Sequence, residues 1–213
     1  AMDRSAPDLF IFGGSFDPVH KGHVAIIREV HAGLKNPASL LLMPTNASPF
    51  KENRPALADD RLAMLNLAFE NENLPGLPWQ ISRLELDARE SARTIDTLQT
   101  IEAQKSYAER RIWLIIGADH ISQLENWKRG SDLLRNYSLV VARRPGIDAA
   151  PLAEDLRKKY GAEIWLLDGP DVSCSSSQIR QFLLQGQLEK AAECLPQKVL
   201  DFIVAHKLYG SAA

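Results

Sequence analysis

Gly13-Gly14-Ser15-Phe16-Asp17-Pro18-Val19-His20-Lys21-Gly22-His23 joins one apolar run, Leu9-Phe10-Ile11-Phe12, to another from Val24 to Val30. The first run reads as a short buried strand and the second as a helix. Two glycines, a serine and an Asp-Pro pair lie between them, so the backbone can turn sharply and a ligand can come close. A helix start offers unsatisfied N–H groups and the positive end of a dipole, both suited to phosphate. His20 and His23 are three apart and share a face at that helix start. Two imidazoles beside backbone donors can hold a polyphosphate and stabilise charge moving between its oxygens. A zinc site would need a third ligand and an open position. No Cys or acidic residue is suggestively spaced for that, and Asp17 reads as a turn or cap residue.

The pattern repeats outward from this join. Ser39 to Met43 reads as a second buried strand, continuous rather than alternating, as a parallel strand covered on both faces is. Pro44 to Pro55 is a polar, proline-rich loop at its carboxyl end, where open α/β sheets place ligands. Ala58 to Phe69 reads as a helix with Leu62, Leu65 and Leu67 on its apolar positions. Trp79 to Leu86 partly alternates and reads as a strand. A helix opens at Thr94, with Thr94 or Ser91 as N-cap and Ile95, Leu98 and Ile101 in helical period. Ile112 to Ile116 is the clearest central strand, ended by Gly117-Ala118-Asp119, and a helix in two pieces around Gly130 follows. Strands at Ser138 to Ala142 and Ile164 to Leu167 flank a helix from Ala149 to Tyr160. Helices at Ser175 to Leu184, Leu188 to Ala192 and Gln197 to His206 finish the chain. This alternation predicts an α/β, Rossmann-like, doubly wound and mostly parallel sheet, with helices on both faces and a helical C-terminal part. The Gly-x-Gly-x-x-Gly fingerprint of dinucleotide dehydrogenases is absent.

Composition bounds the rest. The 213 residues predict a single domain, 1–213, with Ala1 before Met2 read as a cloning scar. With 45% apolar and 24% charged residues the chain is ordinary for a globular protein, and a net charge of −2 gives no general attraction to nucleic acid or membrane. No run approaches the roughly 20 apolar residues of a membrane span, and no secretory start is visible, so the expected compartment is the cytoplasm. Cys174 and Cys194 are too few for a disulfide framework and read as buried or inert thiols. His31, His120 and His206 read as surface or helix-end residues.

The eleven-residue block resembles the nucleotidyltransferase signature, whose core is His-x-x-His, here His20-Lys21-Gly22-His23. Near the other end, Ser175-Ser176-Ser177-Gln178-Ile179-Arg180 resembles that superfamily's Ile-Ser-Ser-Thr-x-Ile-Arg, with Cys174 at the Ile position and Ser177 keeping the Thr hydroxyl. Between them, Ile115-Ile116-Gly117-Ala118-Asp119 with Leu124 and Trp127 resembles the nicotinate mononucleotide adenylyltransferase pattern Ile-Ile-Gly-x-Asp…Leu…Trp. Arg143-Arg144-Pro145-Gly146 matches an Arg-Arg-Pro-Gly element of that family. Two departures stand out. Ala92-Arg93-Thr94 replaces the family's Ser-Tyr-Thr, and Ser48-Pro49-Phe50-Lys51 replaces Pro-Pro-His-Lys.

The resemblance implies transfer of the adenylyl group of ATP to nicotinate mononucleotide, giving deamido-NAD and pyrophosphate in NAD biosynthesis. It implies catalytic roles for His20, His23 and Arg180. ATP would be held by Gly13, Gly14, Ser15, Phe16, His20, His23, Lys51, Ser176, Ser177 and Arg180. Nicotinate mononucleotide would be held by Arg93, Thr94, Gly117, Asp119, Trp127 and Arg144, with helix-start N–H groups near Thr94 receiving the carboxylate and Trp127 stacking on the pyridine. Mg²⁺ is expected on the ATP phosphates with no dedicated protein ligand. Alternatives are a pantetheine-phosphate or nicotinamide mononucleotide adenylyltransferase and, in a different class, a nucleotide-binding sensor without catalysis. Small molecules are the expected partners, with a homo-oligomer left open.

Overall fold

In the computed structural model of the protein, which describes residues 6–46, 56–88, 93–169 and 172–211, the apolar runs become six strands. They are β1 (Asp8–Gly14), β2 (Ala38–Pro44), β3 (Trp79–Ile81), β4 (Ile112–Gly117), β5 (Ser138–Ala142) and β6 (Ile164–Leu166). The helices are α1 (Lys21–Ala32), α2 (Ala58–Phe69), α3 (Thr94–Glu102), α4 (Gly130–Asn136), α5 (Ala149–Tyr160), α6 (Ser176–Leu184), α7 (Leu188–Cys194) and α8 (Gln197–Ala205). Two 3-10 stretches, Ala118–Asn126 and Leu208–Gly210, complete the described elements.

The strands form one sheet in the order β3-β2-β1-β4-β5-β6. The pairs β1–β4, β2–β3, β4–β5 and β5–β6 are parallel, with Leu9 opposite Ile112 and Trp113 opposite Ser138. The order reverses at β1 and β4, the switch point of a doubly wound sheet. Every residue of β5 is buried, as are Leu9 to Phe12 of β1 and all of β4 but Gly117. That explains why these strands read as unbroken apolar runs.

By contact density the chain divides into two compact units. The first, residues 1–13, 29–43 and 75–171, holds the sheet with α3, α4 and α5. Its core gathers Leu9, Ile11, Leu41, Leu114, Leu139 and Val141 from the strands with Ile95, Leu98 and Leu156 from the helices. Each such side chain contributes about 1.5–3 kcal/mol by leaving water. The second unit, residues 14–28, 44–74 and 172–213, holds the join after β1, α2 and the last three helices, with α2 packed on α8 and α6 on α7.

Four local readings are corrected. The strand expected from Trp79 to Leu86 stops at Ile81, and the chain then turns. α2 buries Arg61, Met64, Leu65, Ala68 and Phe69, so Leu62 and Leu67 flank the inward face. Spacings of three and four from an arginine define that face, which an apolar count alone overlooks. The N-cap of α3 is Arg93, without a side-chain cap bond, and Thr94 is already its first helical residue. Ser91 lies outside the described residues. Cys174 and Cys194 are not thiols: they form a disulfide with Cα atoms 5.7 Å apart. Helix pairing of α6 with α7 brings together two cysteines that spacing alone does not pair.

Candidate active site

β1 ends in Gly14, and the chain enters the second unit through a tight turn. Phe16 has a left-handed backbone (φ 47°) and is buried, and the Asp17–Pro18 bond is cis. Val19 is fully buried and His20 is 5% exposed immediately before α1 begins. The two histidine rings lie 3.8 Å apart, and the Phe16 ring meets the His23 ring edge-on at 4.9 Å.

The hydrogen bonds of the histidines fix their chemistry. Gly22 N–H donates to His20 Nδ1 at 3.0 Å, and His20 N–H donates to His23 Nδ1 at 3.0 Å. Both Nδ1 atoms are therefore acceptors, so each neutral ring carries its proton on Nε2. An Nε2–H is a donor suited to a phosphate oxygen, and protonation of neither ring is needed to make it one. Gly22 is required by space: a Cβ there would lie 2.7 Å from His20 Cε1.

Three carbonyls of the turn are held by side chains from elsewhere in the unit. Arg61 Nη1 donates to the Ser15 carbonyl at 2.8 Å and to that of Thr45 at 2.7 Å. Arg180 Nη1 donates to the Asp17 carbonyl at 2.8 Å, and Ser176 Oγ donates to the Pro18 carbonyl at 2.8 Å. Arg180 is 7% exposed, and its Nη2 donates to Ser177 Oγ at 3.2 Å. Ser175 caps α6 by accepting from Gln178 N–H at 3.1 Å. The serine run thus divides its labour: Ser175 caps, Ser176 grips the turn and Ser177 meets Arg180. Burial lowers the Arg61 pKa from its ordinary value, with Asp17 opposing that shift.

Asp17 lies in the turn, as its position suggested, and its side chain anchors it. It is fully buried, and its Oδ1 accepts from Ala56 N–H at 3.1 Å and from Tyr209 Oη at 2.6 Å. Arg61 and Tyr209 are the participants that sequence reasoning missed. Arg61 carried a signal, because it falls in phase with Met64, Leu65 and Ala68. Tyr209, 192 residues from Asp17, carried none.

The candidates from Arg93 to Arg144 belong to the first unit, as does Gly13. At the end of β4, Gly117 leads into the 3-10 stretch, and a Cβ on Gly117 would collide with Asp119 Oδ1 and stand 3.1 Å from Arg144 Nε. Arg144 Nε donates to Asp119 Oδ1 at 3.4 Å, both side chains being half exposed. Trp127 ends the 3-10 stretch half-buried, packed against the core, with its ring 6.1 Å from that of His120. His120 also approaches Asp119 at 3.7 Å. Gly117, Asp119, His120, Trp127 and Arg144 thus form one polar-aromatic group. Arg93 and Thr94 open α3, where Arg93 is exposed. Lys51 and the Phe50 and Ala92 departures lie outside the described residues. Among the described residues no three His, Cys, Asp or Glu side chains come together as a metal site, and no helix is long and apolar enough to cross a membrane.

The cytidylyltransferase-like family model matches residues 11–182. The "Probable nicotinate-nucleotide adenylyltransferase" of Laribacter hongkongensis (strain HLHK9) is 35% identical over 214 residues, covering 94% of this chain and 94% of the relative. The protein of the same name in Xylella fastidiosa (strain 9a5c) is 34% identical over 223 residues, covering 96% and 97%. Among solved structures, Plasmodium falciparum nicotinic acid mononucleotide adenylyltransferase complexed with APC superimposes with a TM-score of 0.78 at 20% identity, over 97% of this chain and 99% of that one. That likeness establishes the fold.

Proposed function

The chain belongs to the cytidylyltransferase-like family, among its nicotinate-nucleotide adenylyltransferases, and on that premise we propose how its residues perform the transfer. It moves the adenylyl group of ATP onto nicotinate mononucleotide, forming nicotinate adenine dinucleotide and pyrophosphate in NAD biosynthesis. A phosphate oxygen of the acceptor attacks the α-phosphorus in line, a new P–O bond forms, and the bond to the β-phosphate breaks. Pyrophosphate leaves with the electron pair. No covalent enzyme intermediate is needed, so the protein's work is positioning and charge stabilisation.

The observation that carries this reading is the pair of imidazoles whose Nδ1 atoms are pinned by backbone N–H groups. Their Nε2–H groups donate to the triphosphate, with His20 on the reacting phosphate and His23 beside it. Backbone N–H groups from Gly14 to Phe16 complete the phosphate cradle, and Ser176 and Ser177 contribute from α6. Arg180, buried on the Asp17 carbonyl, sets its guanidinium next to that cradle. ATP would be bound as its Mg²⁺ complex, the ion supplying charge neutralisation to the phosphates. On the acceptor side, the N–H groups opening α3 at Arg93 and Thr94 receive the nicotinate carboxylate. The Trp127 face carries the pyridine ring, and Gly117, Asp119 and Arg144 frame the nucleotide. ATP and a mononucleotide acceptor suit the cytoplasm.

Pyrophosphate release from MgATP, compared with nicotinate mononucleotide, nicotinamide mononucleotide and phosphopantetheine, tests this directly. Strong preference for the nicotinate acceptor is expected. Equal use of acid and amide would remove the carboxylate site at Thr94. Replacing His20→Ala should lower kcat by about 10²–10³-fold, and undiminished transfer would sink the mechanism.

A further inference from the structure

We propose that Tyr209 is a positioning residue for the triphosphate turn, its hydroxyl clasping the Asp17 side chain and so fixing the segment that carries His20 and His23. The inference rests on the reading of that turn as the triphosphate site. Tyr209 Oη donates to Asp17 Oδ1 at 2.6 Å, short for an O–H···O bond. Among the described residues Arg61 grips the Ser15 carbonyl, Arg180 the Asp17 carbonyl and Ser176 the Pro18 carbonyl, all on backbone. The Asp17 carboxyl group adds an anchor on a side chain of the turn itself. Its Oδ1 takes Ala56 N–H and the Tyr209 hydroxyl, while its buried Oδ2 has no hydrogen-bond partner among the described residues. Among the described residues, losing the tyrosine hydroxyl therefore leaves the Ala56 N–H to orient a fully buried carboxyl group three residues before His20.

The backbone around Tyr209 is arranged for this contact. Lys207 (φ 51°) and Tyr209 (φ 59°, ψ 28°) both adopt left-handed conformations. Non-glycine residues pay for that geometry, which persists where the surroundings hold it and collects at functional positions. The 3-10 stretch Leu208–Gly210 packs on α6 and α8, so Tyr209 is aimed in part by α6, the helix that also supplies Ser176 and Arg180. Burial first, and then the neighbouring Asp17, push the hydroxyl well above its ordinary pKa of 10.0, so Tyr209 stays a neutral donor across working pH. A ring needed only for packing would have no use for a hydroxyl bonded to the turn.

The experiment is Tyr209→Phe in the full chain, assayed below the unfolding transitions of both proteins. The ring stays and the hydroxyl goes. About a tenfold loss in kcat/KM for ATP is expected, with KM for nicotinate mononucleotide unchanged, because one part-buried hydrogen bond to an acidic group is removed. In an Asp17→Asn background the same substitution should cost far less, since the two act through one contact. Lower thermal stability with wild-type ATP kinetics, or an equal loss toward both substrates, would overturn the clasp. Should Tyr209→Phe fold poorly, Asp17→Asn alone carries the test: it keeps the acceptor oxygen but weakens the bond, so it must lower ATP kinetics and the ATP-induced shift in Tm, and wild-type values for both overturn the proposal. His20→Ala separates the two readings. If it abolishes transfer while Tyr209→Phe is wild type, the clasp alone fails, and if it leaves transfer intact, the site and the clasp fail together.

Discussion

A methyl group on Gly22 would stand 2.7 Å from Cε1 and 2.8 Å from Nδ1 of His20, far inside van der Waals contact. Either the imidazole or the start of α1 must then move, and the Gly22 N–H bond that fixes the His20 tautomer is lost. Gly22→Ala should therefore fold, with an unchanged far-ultraviolet circular dichroism spectrum, and lose about 10²-fold in kcat, the cost of misplacing a catalytic group by about 1 Å. Wild-type kcat in a folded variant would remove His20 from the mechanism. Sequence alone names Gly22, His20 and His23 because they lie within four residues. It also places a phosphate-binding arginine at Arg180, but whether the guanidinium faces a ligand or the protein's own backbone depends on a carbonyl 163 residues away.

α6 starts with more constraint than its sequence displays. Ser175 caps it, Ser176 ties it to Pro18, and Cys174, one residue before the cap, is joined to Cys194 at the end of α7. The cross-link spans 20 residues, a loop whose closure in the unfolded chain is worth about 3 kcal/mol. Reduction by a dithiol, or a Cys174→Ser/Cys194→Ser double replacement, is expected to lower Tm by several degrees, measured by calorimetry with and without reductant. An unchanged Tm would mean that the two sulfurs are thiols in solution. Ser175→Ala adds an independent loss of about 1 kcal/mol from the missing cap. Here the sequence gives the helix and its serine start correctly. It does not give the disulfide, because pairing two cysteines requires knowing that α6 and α7 fold back on one another.

Each of the two compact units carries a tyrosine that resists ionisation. Tyr137 in the first unit donates to Glu102 Oε2 at 2.8 Å, and burial, then the bond and charge of Glu102, raise its pKa above 10.0. Tyr209 does the same in the second, through burial and Asp17. A folded-state pKa above the unfolded one means that the native protein holds protons the unfolded chain releases. The stabilisation is complete below pH 10 and is lost as pH rises beyond it, at about 1.4 kcal/mol per pH unit for each tyrosine. The protein is thus expected to lose stability steeply above pH 10, and Tyr137→Phe should flatten that slope in denaturant titrations at pH 9 to 11. A slope unaltered by the replacement would mean that Tyr137 ionises as readily folded as unfolded.

Local chemistry determined the strand–turn–helix join, the alternation that builds a parallel sheet, the Ser175 start of α6 and the identity of His20 and His23. Each of these depends on residues within a turn or two of one another, so period, glycine position and side-chain type suffice. The brief β3, the inward face of α2, the disulfide and the network of Arg61, Arg180 and Tyr209 around residues 15–18 were decided by the tertiary structure. Those features depend on groups separated by 16 to 192 residues. Nothing in a one-dimensional pattern states which buried carbonyl or carboxyl group a distant donor will satisfy. Folding settles it, because a polar group removed from water must find its partner wherever the packed chain supplies one.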